Sequence, residues 1–143
     1  MLTEARVIIS GNQALVGFQF AVILQRGFSE LAPWLKWIHL ASLSLMVVST
    51  IILLTPATYH RIVENGEETE RFYRLAQVMV LSSLPPLALG VCGDFFIVVY
   101  KMTDRLGFSL SAGVIMLVAF AVMWFGYPWF RRTHPGHLVR RPV

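Results

Sequence analysis

"LSSLPPLALGVCGDFFIVVY" (residues 81–100) is apolar enough to lie in lipid, yet it contains two adjacent prolines and an aspartate. A helix needs roughly 20 apolar residues to cross about 30 Å of hydrocarbon, and this stretch belongs to a segment of that length. A charged aspartate at membrane depth costs on the order of 2.5–3.5 kcal/mol on insertion scales. Asp94 is therefore expected to face the protein interior, to be neutralised, or to bind something.

The rest of the chain is equally apolar. Of its 143 residues 56% are hydrophobic and only 14% are charged, and the mean hydropathy is +0.64, which is far from the composition of a soluble domain. Four segments approach or reach the length of a membrane helix, at about residues 7–25, 34–56, 75–100 and 107–130. The sequence predicts one all-α domain over residues 1–143, a four-helix transmembrane bundle.

The first segment has an alternative interpretation as a cleaved signal peptide. Arg6 precedes its apolar run, as in the basic start of such peptides. However, Glu4 dilutes the basic character, and no cleavage site of small residues precedes the next segment. The segment is therefore interpreted as a membrane helix.

Basic residues predict the orientation. With four spans, one side of the membrane receives eight Lys and Arg residues and the other receives four, which places both termini in the cytoplasm. The basic tail, residues 131–143, would lie beside anionic headgroups, where each cation contributes on the order of 1 kcal/mol. The tail accounts for the pI of 9.7. No nucleic-acid motif accompanies it, so nucleic acid is excluded as a partner.

Pro85 and Pro86 disturb the third helix. Each lacks an N–H and clashes with the preceding turn, so the carbonyls of Leu81 and Ser82 lose their usual partners. The pair predicts a kink. A broken helix of the kind that forms transporter binding sites is the alternative.

Small residues in the third and fourth helices recur at helical spacing. In lipid, such residues let two helix backbones approach closely. The residues predicted to pack helices together are Ser82, Gly90, Gly93, Ala112 and Ala119.

Five polar residues are candidates for an ion- or proton-binding site. They are Asp94, His39, Gln13, Gln19 and His60. Four of them also have a structural interpretation: an interhelical hydrogen bond for Asp94, an interfacial position for His39, and interhelical hydrogen bonds for the two glutamines. His39 lies at a shallower level than Asp94, so contact between them is open. A role for His60 as a proton acceptor on the opposite side is a further expectation.

Covalent catalysis and metal binding have little support. Cys92 is the single cysteine, which excludes intrachain disulfides and thiolate zinc sites. His134 and His137 are separated by a Pro-Gly and lack a third ligand, so no metal is expected there. Known catalytic motifs are absent. We expect neither an enzyme nor a cofactor.

Three segments carry a resemblance to a known family: "NQALVGFQF", "LLTPATYHRIVENGEETERFYR" and "LPPLALGVCGDFFIVVY". From about Arg6 to Lys101 the chain resembles an uncharacterised family of short bacterial four-span membrane proteins, a domain of unknown function whose members are sometimes automatically labelled sodium:proton antiporters. The resemblance implies a bacterial inner membrane and no established mechanism. The family pattern has a proline before the first Gly-x-Gln, where this chain has Ser10. The matching residues are Gln13, Gly17, Gln19, Pro56, Tyr59, His60, Arg61, Glu67, Glu70, Pro86, Gly93 and Asp94.

Three functions remain open. The first is an ion or proton channel or transporter in which Asp94 titrates, homo-oligomeric because four short helices enclose little pore. The second is a structural or assembly partner of another membrane protein. The third is a haem-binding electron carrier with His39 and His60 as ligands. These two histidines are 21 positions apart on one helix, about 31 Å, so they cannot share a haem within one subunit.

Overall fold

The computed structural model describes residues 2–63 and 69–133, with side chains from residue 7 onwards. Of the described residues, 93% are helical and none lies in a strand, which confirms the all-α prediction for that part of the chain. The helices are α1 (Leu2–Ile23), α2 (Arg26–Ser29), α3 (Pro33–Ile62), α4 (Glu70–Thr103), α5 (Leu106–Ala121) and, after a π-helical turn (Val122–Gly126), α6 (Tyr127–Thr133).

Three helical stretches are long and apolar enough to cross a membrane: Pro33–Ile62, Glu70–Thr103 and Leu106–Thr133. A shorter apolar stretch, Val7–Ile23, lies in α1. These helices indicate a membrane protein. They also extend beyond the predicted spans, because a helix that satisfies its own backbone can continue past the hydrocarbon region into polar sequence. For example, α3 passes through Pro56 and ends at Ile62.

The two ends of α4 are capped differently. At the start, the Thr69 hydroxyl accepts a hydrogen bond from the Phe72 backbone N–H at 3.2 Å, as a good N-cap does. At the end, Asp104 adopts a left-handed conformation with φ of 51°, and its N–H donates to the Tyr100 carbonyl at 2.8 Å. Glycine is the usual residue at such a C-terminal position because it lacks the Cβ that strains this conformation.

We expect Asp104→Gly to raise the free energy of unfolding by up to about 1 kcal/mol, since the left-handed conformation costs an ordinary residue roughly that much. Asp104→Val should lower it instead, because a β-branched side chain tolerates positive φ poorly. Equilibrium unfolding in mixed micelles measures both changes. Equal stability of the glycine and valine variants would contradict the assignment of strain to this residue.

The helices pack in chain order. The most extensive contact is between α3 and α4, and further contacts join α4 to α5 and α1 to α3. Glycines allow the closest approach: a Cβ on Gly90 would lie 2.8 Å from Met46 Cγ and 2.9 Å from the Ser42 carbonyl oxygen, and one on Gly93 would collide with Ser42 Oγ. The buried residues of α3 are Leu35, His39, Ser42, Leu43, Met46, Ser49, Leu53 and Pro56.

Two of the five predicted packing residues do not lie in such a contact. Ser82 and Ala119 are exposed, whereas Ala112 is half-buried. On α4 it is the neighbouring Ser83 that is fully buried. Adjacent positions on a helix point about 100° apart. The predicted contact at Ser82 is one residue too early, so its side chain faces away from the partner helix while that of Ser83 faces toward it.

The proline pair does not interrupt α4, which is helical on both sides of Pro85 and Pro86 and through them. A neighbouring helix supplies a hydrogen bond at this level, since the Ser49 hydroxyl donates to the Ser83 carbonyl at 2.9 Å. This bond joins α3 to α4 directly beside the proline pair, although the carbonyls that the prolines leave without an N–H donor are those of Leu81 and Ser82. The third predicted span, α4, is therefore a continuous helix and not a broken one.

The π-helical turn was not predicted. It lies two residues before Pro128, and the N–H of Tyr127 donates to the carbonyl of Val122, five residues back. Because proline has no N–H to give to the carbonyl four residues earlier, a wider turn before it relieves the clash.

Candidate functional site

Three helices bring a carboxylate, an amide and an imidazole together. The Gln19 Nε2 of α1 donates a hydrogen bond to Asp94 Oδ2 on α4. His39 Nδ1 of α3 lies 3.2 Å from Asp94 Oδ1. Gln19 and His39 are each only 5% exposed, and the side chain of Asp94 is 26% exposed. We call Gln19, His39 and Asp94 the acid cluster. Both oxygens of its carboxylate therefore face a nitrogen from another helix.

Local sequence explains why these side chains meet. Asp94 directly follows Gly93, whose missing side chain lets α4 approach Ser42 of α3. Ser42 is three positions after His39 and therefore on the same face. On α1, Gln19 follows the buried Asn12 by seven positions, which is two helical turns and returns to the same face. The contact between His39 and Asp94, which the sequence left open, follows from this close approach.

A second polar contact joins α1 to α3 at the next level along the same face. The Asn12 Nδ2 donates to Thr50 Oγ1 at 2.9 Å, and the Thr50 hydroxyl in turn donates to the Met46 carbonyl at 2.9 Å. Asn12 is 2% exposed. Two interhelical hydrogen bonds, from Asn12 and from Gln19, thus fasten the short apolar helix to the others.

Three buried polar atoms have no hydrogen-bond partner within the described part of the chain. They are Asn12 Oδ1, Gln19 Oε1 and His39 Nε2. Buried polar atoms without partners are rare in folded proteins, because each forfeits its interaction with water. Two of the three belong to the acid cluster, which therefore has unused capacity to accept or donate a hydrogen bond.

The connector between α1 and α3 covers one end of the acid cluster. Phe28 of α2 contacts the His39 ring edge-on, with the ring centroids 5.3 Å apart. Lys36 holds this connector in place, since its Nζ donates to the Ser29 carbonyl at 2.8 Å and lies 6.0 Å from the centre of the Phe28 ring. The phenyl ring therefore shields the imidazole from that side.

We expect Phe28→Ala to increase the rate at which diethyl pyrocarbonate modifies His39 several-fold, because the substitution removes the ring that covers the imidazole. Peptide mapping by mass spectrometry would report the rate for each histidine. His60 is an internal control, since it contacts Phe72 and not Phe28. An unchanged rate at His39 would show that Phe28 does not shield it.

The structure does not bring the other two candidate residues to the cluster. Gln13 is exposed; it points about 120° away from Gln19 on the same helix, so the two cannot share a face. His60 lies in the last turn of α3, about 31 Å along the helix from His39, and its ring contacts Phe72 at 4.6 Å. A role for either residue in ion binding stays a prediction.

Sequence reasoning missed one residue that matters to the site and left another out of the candidate set. The spacing of seven places Asn12 on the same face of the helix as Gln19, but Asn12 was not taken as a site residue. Phe28 gave no such signal, since it lies in a four-residue helix outside the apolar segments. Its position beside His39 depends on how the connector folds back over α3.

The donor set of the cluster limits its chemistry. In the described part of the chain no three residues among His, Cys, Asp and Glu are grouped to hold a metal ion; His134 and His137 lie outside the described residues. Cys92 is buried and unpaired, as expected of a small apolar side chain. An imidazole beside a carboxylate can exchange a proton, and the amide can donate or accept a hydrogen bond.

Comparisons with known proteins match the chain to one family model but to no individual protein. A family model described as a family of unknown function (DUF6328) matches residues 1–128. No match is found among curated proteins or among solved structures. The matched range includes α1 to α5 and every residue of the acid cluster. It confirms the resemblance to an uncharacterised family that the sequence indicated.

Proposed function

The chain belongs to this family of unknown function, DUF6328, and from that premise we propose that it is a small multi-pass membrane protein that conducts or transports protons or other small cations, with Asp94 as the binding group. The proposed activity is the binding and movement of an ion, not the catalysis of a covalent reaction. Neither a cofactor nor nucleic acid takes part in it.

The observation that carries the proposal is the position of the Asp94 carboxylate between three helices. An ionisable group within a membrane segment is expensive, and proteins keep such groups mainly where they bind or move ions. Here the carboxylate contacts Gln19 and His39, and part of its surface stays accessible.

The proposed topology has four spans, formed by α1, α3, α4 and the continuous stretch α5 to α6. They form one bundle in a bacterial inner membrane, with both termini in the cytoplasm because of the excess of basic residues on that side. The third span is kinked at Pro85 and Pro86. Anionic headgroups interact with the basic tail, most of which lies outside the described residues.

A homo-oligomer is part of the proposal. Four helices of this length enclose little space by themselves, and Gln13 leaves an exposed amide on an apolar helix. A polar side chain at that depth is stabilised when it meets a partner on another helix. A second copy of the chain supplies such a partner.

Flux through proteoliposomes tests the proposal. We expect wild-type protein to dissipate an imposed pH or cation gradient, and Asp94→Asn to abolish this flux, because the amide cannot take up a proton or balance a cation. Asp104→Asn makes the same chemical change at the exposed end of α4 and should leave the flux unchanged.

Undiminished flux in Asp94→Asn would remove Asp94 from the mechanism. If the purified wild-type protein gives no flux and instead co-purifies with a stoichiometric membrane protein, an assembly role replaces the transport role. Both variants must first give the same detergent-solubilised yield and elution volume as wild type, so that loss of flux is not loss of folding.

A further inference from the structure

We infer that the acid cluster binds a proton and not a metal cation, and that the proton enters at His39 Nε2 and ends on Asp94. This deepens the proposed function and rests on it for the role of the site in transport. Proton binding itself rests on the geometry of three side chains. Three features of these side chains favour a proton over a metal cation: the carboxylate oxygens already accept hydrogen bonds, their partners can both donate and accept, and one ring nitrogen has no partner.

The carboxylate oxygens are already engaged by nitrogen donors. Oδ2 accepts from Gln19 Nε2 and Oδ1 lies 3.2 Å from His39 Nδ1. A hard cation such as sodium needs several oxygen ligands around it. It would have to displace the amide N–H and rotate the imidazole away, and among the described residues Asp94 is the one carboxylate that the cluster offers as a ligand. A proton requires no such rearrangement.

Both partners of the carboxylate can reverse their hydrogen-bonding role. A neutral imidazole has one donor and one acceptor nitrogen, and a primary amide has both a donor and an acceptor end. Lysine or arginine in place of His39 could only donate, and could not accept a hydrogen bond from the protonated Oδ1 of Asp94. With Gln19 and His39 the cluster keeps its hydrogen bonds in both protonation states.

His39 Nε2 is the entry point because it is the unused nitrogen of the ring. It is buried and without a hydrogen-bond partner among the described residues, while Nδ1 faces Asp94. When an incoming proton bonds to Nε2, the Nδ1–H bond breaks. The proton released from Nδ1 then forms the O–H bond on Asp94 Oδ1. The imidazole is neutral before and after, with its hydrogen moved from Nδ1 to Nε2, and the carboxylate gains one proton.

Few other ionisable groups face the cluster. On α1 the facing group is the neutral Gln19, and on α3 it is His39, with Lys36 one turn away and bonded to the Ser29 carbonyl. α5 (Leu106–Ala121) packs against α4 and has no ionisable side chain. On α4 itself, Cys92 is buried two positions away. Arg26 and Glu30, at the two ends of the α2 connector, are exposed. Of the ionisable groups named here, the His39 imidazole is the one in contact with Asp94.

The test combines two spectroscopic measurements on full-length protein in lipid vesicles. Infrared difference spectra over a pH series should show a carboxylic-acid band that disappears in Asp94→Asn and persists in Asp104→Asn. Nitrogen NMR of labelled His39 should show the ring changing from the Nδ1–H to the Nε2–H form as that band appears. In Asp94→Asn this exchange should be lost.

Adding sodium or potassium chloride at constant ionic strength, with choline chloride as the reference, separates the two ligands. We expect the pH at which the Asp94 band appears to be the same in all three salts. A shift with sodium or potassium would mean that a cation competes for the carboxylate and would overturn the inference. A His39 imidazolium beside a carboxylate that stays charged would overturn it as well.

The spectroscopic test of proton binding can succeed or fail separately from the flux test of transport. If the band and the tautomer change occur but the proteoliposomes show no flux, the proton site stands and the transport function fails. If flux occurs, disappears in Asp94→Asn, and the band responds to sodium or potassium, transport stands and the proton assignment fails.

Discussion

Gly90→Ala is expected to lower the free energy of unfolding by about 1–3 kcal/mol, the usual cost of forcing extra carbon atoms into a packed contact. A Cβ there would lie 2.8 Å from Met46 Cγ and 2.9 Å from the carbonyl oxygen of Ser42. The methionine chain can bend away, but the backbone carbonyl of α3 cannot move without separating the two helices. Gly90→Leu should cost more and should prevent folding in detergent.

Matched glycine substitutions separate packing from helix propensity. Gly17 lies inside α1, and a Cβ added there would meet nothing within 4 Å, so Gly17→Ala should gain about 0.5–1 kcal/mol from propensity alone. Gly93→Ala collides only with the Ser42 side chain, whose hydroxyl can be removed. Ser42→Ala should therefore rescue Gly93→Ala and should not rescue Gly90→Ala.

Equilibrium unfolding in mixed micelles or bicelles measures these differences, and intrachain crosslinking of α3 to α4 reports whether the helices stay in contact. If Gly90→Ala proved as stable as Gly17→Ala, α3 and α4 would not approach each other closely at Ser42. The acid cluster depends on the same approach.

His39→Leu is expected to destabilise the protein by about 1–3 kcal/mol, because it leaves a partly buried carboxylate with one hydrogen-bond donor in place of two. The double variant His39→Leu with Asp94→Leu should lose less stability than the sum of the two single effects, because it removes the carboxylate that His39→Leu leaves unpaired. Gln19 Nε2 loses its acceptor in the double variant as it does in Asp94→Leu alone. The stability effects of the two substitutions should therefore not add.

A double-mutant cycle measures this coupling, and His60 provides the control. His60→Leu lies about 31 Å along α3 from His39, so its effect should add to that of Asp94→Leu within about 0.5 kcal/mol. A cycle for His39 and Asp94 with no coupling energy would mean that their 3.2 Å contact does not contribute to the stability of the fold.

The sequence alone was sufficient for the helices, because helix formation in lipid is a local matter. Every backbone group in the hydrocarbon must be satisfied within its own segment, so length and apolar composition predicted each long helix. On α3 the buried residues His39, Ser42, Met46 and Ser49 recur every three or four positions, which is the spacing of one helix face. Asp94 could be singled out as a candidate because a carboxylate there is costly whatever its neighbours are.

The members of the acid cluster depended on the tertiary structure. Which of Gln13 and Gln19 meets Asp94, and whether Ser82 or Ser83 faces α3, depends on the rotation of each helix about its own axis, and one position changes this by about 100°. Composition constrains that angle poorly when several faces are apolar. The rotation is decided by close contacts such as Gly90 against Ser42, and the covering of His39 by Phe28 is decided by a connector whose path no periodic pattern predicts.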